Sequence, residues 1–264
     1  MAAMTERSTS APGTLSRGLA IIEYVAAHGE VSMQQLADGL DLSRSATYRI
    51  VGQLREHGFV TERADGTGVR LGVAAVRVGL QALAQTDLFA IAPPQLRRLV
   101  HDTAETAFLA VMDNDEMVYV LQEIGTQAVK MSSKLGSRAP IHCTGLGKAY
   151  LSALAEPERR EIVSRLELIH YTPTTLTTPQ ALLAEVERSR LRGFAIDDSE
   201  REPDVRCLAA PVVGHDRKPV AALSVGGPAA RIRAHETSIA GLVRNAAREL
   251  SRQLGAPDLQ EEAR

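Results

Sequence analysis

The sequence is poor in cysteine, in aromatic residues and in long apolar runs. Among its 264 residues there are two cysteines, four phenylalanines, five tyrosines and no tryptophan. Cys143 and Cys207 lie far apart and form no CxxC pair, which excludes a disulfide framework and a cysteine-rich zinc site. With so few aromatic rings, an extensive stacking cage around a ligand is also hard to build.

Neither a membrane span nor a strong overall charge is present. No window approaches the roughly 18 uncharged apolar residues of a membrane helix, and residues 1–13 lack the apolar core of a signal peptide. We therefore expect a cytoplasmic protein with no membrane partner. The formal net charge of −2 excludes a generally basic nucleic-acid coat, although a local basic surface stays possible.

The amino-terminal part predicts three helices followed by a hairpin. Ser32 and Gln35 have the spacing of a capping box for a short second helix, and a third helix is expected over residues 43–57. A strong turn signal, Asp-Gly-Thr-Gly, occupies residues 65–68. This order predicts a winged helix-turn-helix module over residues 14–72, preceded by a disordered leader at 1–13. The first helix is expected to bury Leu19, Ile22, Val25 and Ala26.

The rest of the chain has the pattern of a mixed α and β domain. A connecting helix is predicted over residues 73–86, the mixed domain over 87–255 and a tail over 256–264. Further helices are expected at 88–103, 145–154, 157–168, 179–191 and 234–254. Strands are expected at 107–112, 117–123, 128–133, 194–198, 206–213 and 220–226.

The third predicted helix carries a polar face opposite its apolar stripe. Ser45, Tyr48 and Arg49 lie on that face, with Ser43 and Arg44 at the amino end. The amino end of a recognition helix meets base edges in the major groove, where arginine can bond guanine through two acceptors. Serine suits phosphate or base contacts. A solvated charged face, or a helix-turn-helix used for protein contacts, is the alternative interpretation.

A local basic excess supports the DNA-binding interpretation. Between residues 42 and 77, six basic residues oppose three acidic ones, and Arg63 and Arg70 fall on the predicted hairpin. We expect double-stranded operator DNA as a partner. Because one such module reads few bases, we also expect a homodimer, with the helix at 73–86 as its seam.

A second candidate site begins at the segment His142-Cys143-Thr144-Gly145-Leu146-Gly147-Lys148. This segment opens a predicted helix, and a helix start can hold a carboxylate through free backbone N–H groups. We therefore consider His142, Thr144, Gly145 and Leu146 as candidate contacts for an anionic ligand. Alternatively, Thr144 only caps the helix and the glycines permit tight packing.

Enzymatic interpretations of the second part find little support. A phosphate loop ending at Gly147-Lys148 would need glycine at position 142 and serine or threonine at 149, where the sequence has histidine and alanine. Cys207 lies in an apolar strand candidate, where cysteine is usually a small buried residue. The seven histidines show no HxH or HxxxH spacing, and adjacent Asp197 and Asp198 point to opposite faces of a strand. We expect no catalytic residues, no metal and no cofactor.

The chain resembles the IclR family of bacterial transcription regulators. The segments that carry the resemblance lie between Thr14 and Leu254 and read LSRGLAIIEYV, LSRSATYRIVGQLREHGFV, LGSRAPIHCTGLGKAYL, RGFAIDDSEREPDVRCLAAPV and AALSVGGPAAR. They include the pattern D-x2-E-x6-C. The resemblance implies an α+β architecture with a GAF-like effector domain, built on an antiparallel sheet, behind the winged module. It also implies dimers, often paired into tetramers.

The resemblance assigns individual residues to each site. The DNA contacts of the family fall on Arg17, Arg44, Ser45 and Arg49, and its effector-pocket positions fall on Gly145, Leu146, Asp197, Cys207 and Ser224. Two departures stand out. Asp204 replaces the usual glycine before Cys207, which affects how that turn is held. Gly226 stands where some members have a second pocket serine, which removes one hydroxyl contact.

Together these features predict a ligand-responsive transcription factor. It is expected to repress a catabolic operon, with a small organic acid, more readily an aliphatic one, as the effector. One alternative is an enzyme acting on a small carboxylic acid, with the winged module used for assembly. Another is a DNA-binding protein whose second domain only oligomerises.

Overall fold

The computed structural model describes residues 13–62, 68–84 and 87–257, and it divides the chain into two compact units, Met1–Gln85 and Thr86–Arg264. The predicted leader up to residue 12, Arg63, most of the hairpin turn and the tail from residue 258 lie outside the described residues.

The first unit contains the expected three helices and hairpin. Its elements are α1 (Thr14–His28), α2 (Met33–Gly39), α3 (Arg44–Glu56), β1 (Val60–Glu62), β2 (Val69–Leu71) and α4 (Val73–Ala84). The capping box at the start of α2 is confirmed, because the Ser32 hydroxyl accepts from the Gln35 amide and the Gln35 side chain accepts from the Ser32 amide. Strands β1 and β2 pair antiparallel. This is a winged helix-turn-helix.

The buried face of α1 differs from the expected one. Gly18, Ile21 and Val25 are buried, whereas Leu19 is 53% exposed and Ala26 is exposed. Apolar residues surround most of α1, so periodicity alone leaves more than one face possible. Gly18 decides between them because it lets α1 approach α3 closely; a Cβ at Gly18 would lie 3.7 Å from Ile50 Cγ2.

The second unit is a six-stranded sheet with helices on both faces. Its helices are α5 (Asp87–Thr103), α6 (Gly145–Ala153), α7 (Glu156–Arg165), α8 (Pro179–Arg192), α9 (Ala229–Ala234) and α10 (Glu236–Gln253). Its strands are β3 (Thr106–Asp113), β4 (Glu116–Glu123), β5 (Arg138–Pro140), β6 (Ala195–Asp198), β7 (Val205–Val213) and β8 (Pro219–Pro228). The strand order is β5-β4-β3-β8-β7-β6, and every pair is antiparallel.

Alternate residues of the central strands supply two separate cores. Leu109 of β3 and Leu208 of β7 belong to the core shared with α5 and α10, while Phe108 and Ala209 belong to the core shared with α6 and α8. This follows from the two-residue period of a strand, which sends neighbouring side chains to opposite faces. The expected α+β class, with a winged module followed in the chain by a unit built on an antiparallel sheet, is confirmed.

Two expected elements are wrong. Residues 128–133 form no strand; the Met131 carbonyl and the Ser133 amide bond instead to the side chains of Thr106 and Gln122. The edge strand is β5, in a segment where no strand was expected. The expected helix over 234–254 is preceded by a separate short helix, α9, and begins only at Glu236. None of the helices in the described ranges combines the length and apolar character that crossing a membrane requires.

Candidate functional site

In the first unit, the start of α3 is fixed by its own capping residue. The Ser43 hydroxyl accepts a hydrogen bond from the Ala46 amide at 3.3 Å and lies 3.3 Å from the Ser45 hydroxyl. A serine cap satisfies one of the free amides at a helix start. Ser43 therefore holds the backbone on which the next residues are displayed.

The outer face of α3 is polar and lacks acidic partners. Arg44, Ser45 and Arg49 are exposed and Tyr48 is 60% exposed, whereas Thr47, Ile50 and Val51 face the core. Within the described ranges, no carboxylate pairs with Arg44 or Arg49, while Arg55 further along pairs with Glu62 at 2.7 Å. Two guanidinium groups at the capped end of a helix are thus available to phosphates or base edges.

The remaining sequence candidates lie on neighbouring elements of the same unit. Arg17 is half-buried on α1, directly before Gly18 at the contact with α3, and Arg70 is exposed on β2. Arg63 lies outside the described residues. The candidates therefore occupy α1, the amino end of α3 and one strand of the wing.

In the second unit, a cavity of about 230 Å³ lies beside the start of α6. Six of the seven sequence candidates line this cavity, namely Thr144, Gly145, Leu146, Asp197, Cys207 and Ser224. They come from α6, β6, β7 and β8, so the sheet topology brings together residues up to 80 positions apart in the chain. The other lining residues are Phe108, Tyr119, Met131, Ser133, Ser137, Arg138, Ala139, Arg201, Glu202 and Val205.

The start of α6 presents backbone donors to the cavity. The Thr144 hydroxyl accepts from the Gly147 amide at 3.1 Å and donates to the Pro140 carbonyl at 3.0 Å. The amides of Gly145 and Leu146 have no acceptor among the described residues. Glycine is required at 147, because a Cβ there would lie 2.1 Å from the Ile141 carbonyl oxygen. These two amides and the positive end of α6 suit a carboxylate.

Asp197 is the buried acid of the cavity. Its Oδ1 accepts from the Glu200 amide at 2.9 Å, and burial raises the pKa of its carboxyl to about 7, against the opposing effect of nearby Lys148. Asp198, the next residue, points away and pairs with Arg206 and Arg233. The sequence argument that only one of the two aspartates enters the pocket agrees with this arrangement.

Glu200, whose amide donates to Asp197, forms a buried ion pair with Lys148. Lys148 is fully buried on α6, and its ammonium pairs with the Glu200 carboxylate. Burial raises the pKa of Glu200 more than Lys148 lowers it. Sequence reasoning missed this pair; its one signal was a lysine inside an otherwise apolar helix, together with the glutamate of the D-x2-E-x6-C pattern.

His142 does not line the cavity, contrary to the expectation. Its Nε2 donates to the Ile169 carbonyl at 3.0 Å and its ring stacks on Tyr171, with 6.1 Å between centroids. Burial lowers the pKa of the imidazole. His142 therefore ties the segment before α6 to the loop around residue 170.

Ten of the lining residues were not singled out from the sequence, and three of them contribute distinct chemistry to the cavity. Tyr119, on β4, has its pKa raised to about 12 by burial, so its hydroxyl stays neutral. The guanidinium of Arg201 stacks over the ring of Tyr171 at 4.7 Å. Met131 comes from the coil that was expected to be a strand. Nothing in the local sequence pattern marks them, since each reaches the cavity through tertiary packing.

Neither cysteine is placed as a nucleophile. Burial raises the pKa of Cys143 to about 12 and that of Cys207 well above its usual range, so both thiols are protonated near neutral pH. Cys207 Sγ lies 3.7 Å from Met131 Sδ. No group of three potential metal-ligating side chains occurs within the described ranges. The donors and acceptors of this cavity are suited to holding a small polar molecule.

The two departures from the family pattern have clear structural reasons. Asp204 has φ 59°, so it adopts the left-handed conformation that glycine would supply there. At Gly226, a Cβ would lie 2.7 Å from Cys207 Sγ and 2.9 Å from Met131 Sδ. The two sulfur atoms thus occupy the space that a serine side chain would need.

Comparison with known proteins covers both units. Residues 14–64 match the IclR helix-turn-helix domain, and residues 80–252 match the carboxy-terminal domain of the bacterial transcriptional regulator IclR. The chain is 35% identical to the acetate operon repressor of Salmonella typhimurium and 34% identical to the transcriptional repressor IclR of Escherichia coli, in each case over 95% of this chain and 93% of the relative. The crystal structure of Thermotoga maritima IclR superposes with a TM-score of 0.75 at 31% identity, covering 92% of this chain and 98% of that one. The protein belongs to the IclR family of bacterial transcriptional regulators.

Proposed function

We propose that this protein is a repressor of a catabolic operon and that binding of a small organic acid lowers or raises its affinity for operator DNA. The observation that carries the ligand part is the cavity at the start of α6, where six residues chosen from the sequence meet two free backbone amides. Its volume of about 230 Å³ is below the roughly 300 Å³ at which pockets for larger ligands begin, which favours a small acid.

The acid would bind with its carboxylate at the amides of Gly145 and Leu146. Thr144 and Ser224 would contact its other polar groups, and Asp197, when protonated, would donate a hydrogen bond to it. Cys207 would supply an apolar wall. His142 is left out of the ligand contacts because its ring nitrogen is engaged by Ile169.

Operator DNA would be held by the face formed by α1, α3 and the wing. Base contacts are assigned to Arg44, Ser45, Tyr48 and Arg49, and backbone contacts to Arg17, Ser43, Arg63 and Arg70. Acting on operator DNA, the protein would work in the cytoplasm. It would have no catalytic role of its own, an inference supported by the two protonated thiols.

The operator-binding form is proposed to be a homodimer, with pairing into tetramers as a further step. Exposed apolar side chains on α4 support a dimer seam there, because burying them would release ordered water: Val73, Val76, Val78 and Leu80 are all exposed. Two linked modules would read two half-sites and so multiply affinity.

A combined ligand and DNA titration tests this function. A thermal-shift survey of short aliphatic acids should identify a ligand that raises the melting temperature, and that ligand should change the Kd for the promoter beside the protein's own gene by 5- to 150-fold, which corresponds to about 1–3 kcal/mol of coupling. An acid that occupies the cavity by calorimetry yet leaves operator affinity unchanged would contradict the proposal. Turnover of the acid by the purified protein would support the enzymatic alternative instead.

A further inference from the structure

A second cavity, of about 630 Å³, lies in the carboxy-terminal unit and shares no lining residue with the first. Five arginines line it: Arg190 from α8, Arg217 from the turn between β7 and β8, and Arg244, Arg248 and Arg252 from α10. The last three are spaced four residues apart and therefore lie on one face of the helix. Within the described ranges, no aspartate or glutamate lines this cavity.

Part of this positive charge is balanced by neighbours. Arg190 forms two hydrogen bonds with Glu187 and Arg252 forms two with Glu249. The carboxy-terminal ends of α6, α8 and α10 also meet here, and each carries a partial negative charge of about half a unit. The two arginines in the middle of this group, Arg244 and Arg248, form no ion pair with any residue that the structure describes.

Arg244 and Arg248 are therefore the candidate anion-binding groups of this cavity. The Nε of Arg244 is buried and has no acceptor in the described part of the chain, and its NH1 makes one long contact of 3.5 Å with the Arg192 carbonyl. Arg248 is exposed at the cavity and forms no ion pair with a described residue. A buried donor without an acceptor is costly, and a bound anion would satisfy it.

We propose that this arginine-lined cavity binds a second ligand, a small molecule with two or more negative charges borne on phosphate or carboxylate groups. Two negative charges would match the guanidinium groups of Arg244 and Arg248, and planar guanidinium groups are well suited to bidentate contacts with such anions. The cavity is also large enough for a ligand that the first cavity of about 230 Å³ would not hold.

Two elements of the fold, α6 and β7, line both the second cavity and the first. Helix α6 begins at the first cavity with Gly145 and ends at the second with Ser152 and Ala153. Strand β7 likewise lines the first cavity with Cys207 and the second with Ala210. A polyanion at the arginines would thus contact the same two elements that hold the effector.

Calorimetric titration of the full chain with pyrophosphate, at about 0.15 M salt to suppress weak surface binding, tests the proposal. Saturable binding is expected, weakened at least tenfold by Arg244→Gln combined with Arg248→Gln and several-fold by Arg248→Gln alone. Arg188→Gln is the matched control, because Arg188 is an exposed arginine of α8 that pairs with Glu185 and does not line the cavity. The affinity of Arg188→Gln for pyrophosphate should equal that of the wild type.

Absence of saturable binding, or a folded Arg248→Gln variant with unchanged affinity, would overturn the proposal. Residues 258–264 follow Pro257, which lines the cavity, and include Asp258, Glu261 and Glu262. Their carboxylates would compete for the same arginines, so the titration is repeated with all three replaced by amides. Binding seen only in that variant would mean that the chain's own tail occupies the cavity, and it would overturn the proposal that a free ligand binds there. Retained operator binding in the same preparations would show that such a failure leaves the regulatory function intact.

Discussion

Lys148 on α6 forms a buried ion pair with Glu200, 52 residues later in the chain, and the Glu200 amide in turn donates to Asp197 in the first cavity. One carboxylate oxygen of Glu200, Oε2, has no partner among the described residues. The cavity acid is therefore positioned by a short polar chain that begins on the helix supplying the free amides. The position of the Asp197 carboxyl thus depends on Glu200, and the position of Glu200 depends on Lys148.

Removing the lysine should destabilise the second unit strongly. Lys148→Met would leave the Glu200 carboxylate buried without a countercharge, at an expected cost of about 3–5 kcal/mol in the free energy of unfolding by urea. Combining it with Glu200→Gln should restore much of the loss, since no unpaired charge then stays buried. Equal destabilisation by the single and the double variant would show that the ion pair is unimportant.

The pKa of Asp197 predicts a pH-dependent stability. The pKa of this carboxyl is about 7 in the folded chain against an ordinary value of 3.8, so the folded state holds the proton more tightly. As the pH rises from about 4 to about 7, the unfolded chain loses its proton first and stability falls; above 7 this contribution is constant. Asp197→Asn keeps the acceptor oxygen for Glu200 and should remove this decline, which is on the order of 1 kcal/mol or more.

The same titration should affect ligand affinity. Below pH 7 the neutral Asp197 carboxyl can donate a hydrogen bond to an organic acid. Above pH 7 the ionised Asp197 carboxylate repels the carboxylate of that acid. Calorimetry should therefore show weaker acid binding as the pH rises through about 7, and a flat profile in Asp197→Asn. A profile that is as steep in the variant would assign the titration to another group, such as Glu200.

Substituting Arg44 and Arg49, the two exposed arginines of α3 without a carboxylate partner among the described residues, should weaken operator binding strongly without disturbing the fold. Arg44→Ala combined with Arg49→Ala should weaken operator affinity at least tenfold, because each lost base contact costs about 1–3 kcal/mol. Fluorescence anisotropy with labelled operator measures this, and thermal unfolding checks the fold. Arg98→Ala, an exposed arginine of α5, is the control and should bind as the wild type. If both variants bind equally well, α3 is not the reading helix.

Filling the space at Gly226 should damage the cavity. Gly226→Ser would bring a side chain against Cys207 Sγ and Met131 Sδ, with an expected destabilisation of about 1–3 kcal/mol and weaker ligand binding. Adding Cys207→Ala makes room and should recover part of the stability. A stable single variant with unchanged ligand affinity would mean that Met131 moves aside at little cost.

Local patterns were sufficient for much of the fold and for three residues of the first cavity, Thr144, Gly145 and Leu146. The Ser32 capping box and the start of α4 at Val73 were predicted because each depends on neighbours within a few positions. The side that α1 buries depends on Ile50 of another helix, and the edge strand β5 depends on pairing with β4. The buried face of α1 and the position of the edge strand are therefore determined by contacts between residues far apart in the sequence, which a local pattern does not show.

The functional residues divide in the same way. Gly145 and Asp197 could be chosen from a helix start and a motif, whereas Lys148, Arg201 and the arginine cavity require elements far apart in sequence to meet. His142 was included because its neighbours in sequence line the cavity, but His142 itself does not line it. The direction of its side chain is set instead by the Ile169 carbonyl.

The outermost strands of the large sheet are also its shortest. Strand β5 has three residues and ends in Pro140, which has no amide hydrogen to offer, and β6 has four. An incoming chain could form only a few ladder bonds along either border, so continuous extension of the sheet from one molecule to the next is disfavoured. Copies of this unit are therefore expected to associate through side chains of their helices, which protects a crowded cell from fibrous aggregates of the regulator.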